Sequence, residues 1–295
     1  MTTLSETDID SSILDVIPGN KPDEYFVLGN WSDRAGDDET ICCIVAVTSR
    51  PEGLAWQVLY SIETWGMQMS RLSPESYLIG SVDGEVIRVT GSTRDAMDAG
   101  VGSIHCIDGV SDTDCWLAYN GGVSHWDGRN ISRTFSSGWL HTLHVLRADF
   151  GVAVGAKGIV LLFDGAGWAE VESVPVNTEL TQVFCTSDRE IYIGGWRGVL
   201  YRWDGRDTWE RIELITDHGE HADCCIGNVV CYNGGLYVCA SQLGLFRIEG
   251  STAIKVQDFS SSRAAVIGDK LVITSWSTLW ECDGHAWRST VIPLP

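Results

Sequence analysis

The sequence predicts an all-β fold in which one four-stranded antiparallel unit repeats around a closed ring. Three observations predict it. First, a phrase returns about every 40 residues: apolar strand, glycine-bearing turn, apolar strand, Asp-Gly or Gly, and often Trp. Its clearest copies are Cys115–Ile131, Gly151–Trp168 and Ile191–Trp209, with fainter ones at Tyr77–Thr93, Leu236–Ile254 and Leu271–Trp287. The closing glycines Gly91, Gly128, Gly165, Gly205, Gly250 and Gly284 lie 37, 37, 40, 45 and 34 residues apart. Second, no segment carries a helical hydrophobic period. Third, the chain is glycine-rich and proline-poor, with 32 Gly, 7 Pro and 44% apolar residues, a foldable and turn-rich composition. A period of this length built of short strands reads as a β-propeller with one blade per repeat. Stacked blades form one domain, so the 295 residues are not divided in two.

Residues 1–22 read as an acidic lead-in, within which Ser12–Pro18 has the composition of a short strand that helps to close the ring. Residues 23–63 hold three strand-like runs, Tyr25–Trp31, Thr40–Thr48 and Leu54–Ile62, around an acidic loop at Ser32–Glu39. They lack the Asp-Gly phrase and read as a divergent first blade. Residues 66–292 divide into six four-stranded units. In the blade at 180–214, Leu180–Thr186, Glu190–Gly194, Val199–Trp203 and Thr208–Leu214 are the strands. Asp204-Gly205 sits in a hairpin turn, because Gly accepts the positive φ a tight turn demands. Alternation inside the strands is partial, as expected where strands pack neighbouring blades on both faces. The count is seven blades; six is the alternative if 23–63 is an appended hairpin or completes the last blade.

The WDGxxW phrase following a VGxxG-type hairpin resembles bacterial BNR/Asp-box and WD-repeat-like propellers over roughly residues 70–290. The Asp-box pattern has one residue between Asp and Gly, which Asp204-Gly205 lacks. The resemblance implies a fold and a structural role for the box, and no catalytic residue.

The formal charge is −20, from 40 acidic and 20 basic residues, and residues 1–100 alone hold 17 acids against 6 bases. Such a field disfavours nucleic acid and anionic membranes and favours association with a basic partner. The N-terminal segment has no secretory pattern and no apolar run reaches the roughly 18 residues of a membrane helix, so the expected compartment is cytoplasmic. The ten cysteines then read as reduced thiols, most of them, Cys231 included, in apolar strand phrases; no CxxC pair occurs.

Partner-binding candidates come from loops on one face. Asp83, Trp196, Arg197 and Trp276 fall in turns between the second and third strands of their blades, and exposed Trp beside Arg or Asp is a hot-spot composition. Asp217, Glu220 and Asp223 lie in the longest inter-blade link, Thr216–Cys225. His218, His221 and Cys224 there would meet a metal only if the loop coiled into a helical turn, which nothing signals. His141 and His144, three apart on a strand, point to opposite faces. The sequence nominates no catalytic residue, cofactor or metal site: it has no Gly-rich phosphate loop, GxSxG or HExxH. It therefore leads to a non-enzymatic acidic propeller that binds a basic protein, in particular an immunity or inhibitor protein that plugs the cationic cleft of a nuclease-type toxin. The alternatives are a general assembly scaffold, or an enzyme acting on a carbohydrate or small molecule in the channel.

Overall fold

Seven blades of four antiparallel strands, the sixth widened to five by one parallel strand, stand around one axis in the computed structural model, which describes residues 9–33, 40–50, 53–216 and 222–292. Each blade is contiguous in sequence. Blade 1 runs Ile9–Pro18, Glu24–Asp33, Thr40–Arg50 and Gly53–Ile62. The innermost strands of blades 2 to 7 are Gly66–Ser70, Ile104–Ser111, Leu140–Arg147, Leu180–Ser187, Asn228–Tyr232 and Arg263–Ile267. The only helical turn among the described residues is a 3-10 turn at Ala156–Gly158. Second strands such as Ser76–Ser81 and Phe150–Gly155 are buried along their whole length, because neighbouring blades cover both faces. Outer strands such as Thr93–Asp98 are exposed and polar. This division produces the partial alternation in the sequence.

The apolar core lies between the blades. Seven clusters of buried residues among the described ones each span one seam, including the seam from blade 7 to blade 1, where Ile13, Tyr25 and Val45 meet Val272, Leu279 and Ile292. That last seam closes the ring without strand exchange. The Ile13 N–H donates to the Trp276 carbonyl, as the Ile226 N–H donates to Gly195 between blades 5 and 6. A buried cluster adds to it: Glu281 accepts from Tyr25 Oη, from Ser49 Oγ at 3.1 Å and from Lys270 Nζ at 3.2 Å. Closure covers the apolar faces that the first and last blades would otherwise expose.

Three expectations move. The first blade begins within the segment read as lead-in, since Ile9–Pro18 is its innermost strand and pairs with Glu24–Asp33. The run Thr208–Leu214 is split: Trp209–Arg211 stays on blade 5, while Glu213–Ile215 pairs in parallel with Thr252–Gln257 of blade 6. Ile212, fully buried, marks the hand-over, its N–H on Leu200 and the next N–H on Ser251 of the neighbouring blade. Cys231 is exposed, because strand alternation turns it away from buried Val230 and Tyr232.

The recurring Asp-Gly is a turn device. In four blades Asp127, Asp164, Asp204 and Asp283 each accept two backbone N–H bonds at 2.7–3.0 Å within the turn. The following glycines have φ between +74° and +96°. Those N–H donors hold the four carboxyls below the usual range.

Candidate binding face and channel

Antiparallel order decides which loops share a face. The turns between second and third strands and the links between blades emerge on one side; the Asp-Gly turns emerge on the other. Five tryptophans among the described residues are exposed, and four of them share the first side: Trp65 at 36%, Trp139 at 52%, Trp196 at 54% and Trp276 at 60%. The fifth, Trp56, lies on the outer strand of blade 1. Trp276 has φ +32°, a left-handed backbone that costs a bulky residue about 1–3 kcal/mol and is held here by ring closure through its carbonyl. Trp139 sits against the rings of His105 and His141, 5.6 and 5.9 Å away, and His141 Nε2 meets Glu179 Oε2 at 2.8 Å.

Of the residues singled out in the sequence, Asp83, Trp196, Arg197, Asp223 and Trp276 are all exposed on this face. Asp83 is also an anchor, accepting from Thr64 Oγ1 at 2.6 Å. Asp217, Glu220, His218 and His221 lie outside the described residues. Among the described residues no group of three or more His, Cys, Asp or Glu could hold a metal. Sequence reading missed Trp65 and Trp139. Both directly precede an inner strand, at the same position of their repeats, and that match was available.

The sequence offered a channel as an alternative site but did not identify its lining. At one level of the ring each inner strand contributes one side chain: Asp15, Gln68, Cys106, Thr142, Gln182, Asn228 and Arg263. Two residues on, Asp108, His144 and Phe184 form part of a second level. On blades 1 to 4 five of these side chains accept from the next blade, while Thr142 Oγ1 donates back to Cys106 Sγ at 3.5 Å. Asp15 Oδ2 accepts from Met69 N–H at 2.9 Å, Gln68 Oε1 from Ile107 at 2.7 Å and Cys106 Sγ from Leu143 at 3.4 Å. At the second level Asp108 Oδ2 accepts from Val145 at 2.7 Å and His144 Nδ1 from Cys185 at 2.8 Å. The last bond places the proton of neutral His144 on Nε2. Burial pushes Asp15 up to about 6, offset in part by the positive Arg263, and holds His144 below its ordinary value.

That pattern lapses in the rest of the ring. Gln182 Oε1 accepts instead from Arg263 Nη1 at 3.3 Å, and Arg263 Nη1 also donates to the Gly227 carbonyl at 2.7 Å. Asn228 Oδ1 is buried with no partner. Two cavities follow the axis here. The inner one, about 250 Å³, is lined by the polar ring; the outer one, about 440 Å³, opens on the tryptophan face with Trp65 and Trp276 in its wall.

No family model and no curated protein matches this chain. Solved structures do. It is similar to the WD40 β-propeller domain of Doa1, with TM-score 0.71 and 11% identity over 90% of each chain. It is similar to a chain of the mitotic checkpoint complex, with TM-score 0.68 and 11% identity over 90% of this chain and 87% of that one. The computationally designed Ika8 protein matches with TM-score 0.65 and 13% identity over 95% and 87%. The chain is thus a seven-bladed β-propeller with a fold-level likeness to WD-repeat propellers. At these identities the likeness concerns the fold alone, and activity has to be argued from the site.

Proposed function

We propose that this propeller is a non-enzymatic binding module that docks a basic protein on its tryptophan face. The observation that carries the reading is the gathering of Trp65, Trp139, Trp196 and Trp276 on one side of a rigid ring. Tryptophan is among the residues most enriched at interface hot spots. Exposed Glu63, Asp83, Asp98, Glu172, Asp223 and Asp258 surround them, against Lys157 and Arg197. That balance, with the net charge of −20, favours a cationic partner and fast capture. The finer form of the reading is an immunity or inhibitor protein that covers the basic cleft of a nuclease-type toxin; it rests on charge complementarity alone.

A catalytic reading would draw on Asp15, Asp108 and His144 in the channel. Each carboxylate takes one backbone N–H from its own strand, Val16 and Gly109, and one from the next blade, Met69 and Val145, and His144 Nδ1 takes the Cys185 N–H of the next blade, which supports a structural role.

The test pairs the wild-type chain with a Trp196→Ala/Trp276→Ala variant as bait in host extract. The expected result is one basic protein retained by the wild type, released by salt and lost from the variant, with affinity down at least about 30-fold if one hot spot of 2 kcal/mol is removed. Equal retention by both baits would place the interface elsewhere. Inhibition of the captured protein's nuclease activity would then separate the inhibitor from the scaffold.

A further inference from the structure

The two channel cavities meet at Arg263, which lines both and, among the described residues, is the only Lys or Arg in either wall. Together they fall within the size range of small-molecule sites, and they divide by chemistry. The outer cavity is walled by Ile13, Leu14, Met67 and Ile226 with Trp65 and Trp276. The inner one is polar.

Three groups there lack their full complement of partners. Arg263 uses Nη1 on Gly227 and Gln182, but no carboxylate among the described residues lies within 4 Å of its guanidinium, and no protein hydrogen bond is made by Nε or Nη2. In a chain with twice as many acids as bases, a cavity-lining Arg without a contacting carboxylate is a charge open to a ligand. Asn228 Oδ1 is a buried acceptor without a donor, which carries a cost of about 1–3 kcal/mol unless a ligand or water supplies one. Asp15 accepts one N–H on each oxygen, from Val16 and Met69, and retains lone pairs.

An occupant that answers all three has an anionic group for Arg263, an N–H donor for Asn228 and Asp15, and an apolar body for the outer cavity. The −20 field repels a simple anion from the mouth but leaves a net-neutral molecule unopposed. We propose that the channel mouth binds a small zwitterion of this kind, an apolar α-amino acid, with its carboxylate on Arg263 and its side chain against Trp65 and Trp276. The site shares Trp65 and Trp276 with the docking face, but Arg263, Asn228 and Asp15 belong to the channel, so titration of the isolated chain tests it apart from any docked protein.

The experiment is calorimetric titration of the full chain with four probes. L-phenylalanine and L-leucine carry all three features, 3-phenylpropionate lacks the ammonium, and L-phenylalaninamide lacks the carboxylate. The expected order places L-phenylalanine about tenfold or more tighter than either truncated probe, the equivalent of one lost charged hydrogen bond. Arg263→Gln should erase the preference for L-phenylalanine over its amide. Asn228→Ala should narrow the preference over 3-phenylpropionate. Should Arg263→Gln not fold, the wild-type comparison of acid and amide carries the test. The proposal is overturned if neither amino acid binds at roughly 10 mM, far above the Kd of a useful site, if acid and amide bind alike, or if a folded Arg263→Gln binds L-phenylalanine as the wild type does.

Discussion

The channel wall has two arcs that use the same kind of residue differently. On blades 1 to 4 a polar side chain on each inner strand accepts a backbone N–H from the next blade, five bonds in all. From blade 5 to blade 7 the equivalent Gln182, Asn228 and Arg263 make no such bond; they turn toward one another or are left without a partner. In the first arc polarity is spent on joining blades, since a buried N–H must find an acceptor. In the second it remains available. The lesson is that a polar channel residue is not by itself a functional one: its bonds separate masonry from site.

The largest effect that sharpens this contrast is one of pH. Burial pushes the carboxyl of Asp15, in the first arc, up to about 6 from an ordinary 3.8. The fold favours its protonated form, so its stabilising contribution is complete below pH 4 and is lost as pH rises to about 6. Two units correspond to on the order of 3 kcal/mol. His144 has the opposite sign. Burial lowers its folded value, so its contribution is present above 6.5 and is lost as pH falls. Asp15→Asn removes the first trend and leaves the second. Urea unfolding at pH 4, 5, 6 and 7 should therefore show stability rising with pH more steeply in the variant than in the wild type. Parallel pH profiles would mean that Asp15 titrates normally.

A smaller effect compares the arcs directly. Gln68→Ala strips the acceptor from the Ile107 N–H and should cost about 1–3 kcal/mol in denaturant unfolding. Asn228→Ala, one position of the same ring, removes an oxygen that has no donor and should cost less than about 0.5 kcal/mol. Equal losses would show that the equivalence of these positions is only geometric and that both arcs are load-carrying.

Much of the ring was legible because glycine writes turns into sequence. The Asp-Gly pairs marked four blades through a positive φ that few other residues accept, and the spacing of the closing glycines set the blade length. The first blade was harder. It has no such turn, and its inner strand hides in an acidic segment. The channel was illegible for a different reason. Gln68, Asp108, His144 and Gln182 were visible as polar breaks in apolar strands, yet their direction depends on bulges. Inner strands shift register between Ile13 and Asp15, Gly66 and Gln68, Leu140 and Thr142, and Leu180 and Gln182. One extra residue turns every later side chain to the other face, so counting alternation from the strand start points these residues away from the axis. Trp65 and Trp139 escaped because the repeats were aligned on their glycine ends, at the opposite side of the ring.

The smallest effect breaks the contrast at the level of single thiols. Cys106 in the first arc is buried, bonded to blade 4 and pushed up to about 11 by burial. Cys231 in the second arc is the one exposed cysteine among the ten, while Cys224 and Cys225 are partly covered. A thiol reacts as the thiolate and only when reached, so burial protects Cys106 twice, by hiding it and by raising its pKa. Labelling the native chain with a maleimide at pH 7 should modify Cys231 first, with no change in unfolding midpoint, and Cys231→Ser should remove that fast phase. Cys106 should stay unmodified until denaturant opens the ring. Early labelling of Cys106 would show that the bonded arc opens locally, and that the bonds from blade to blade are weaker than their number and burial imply.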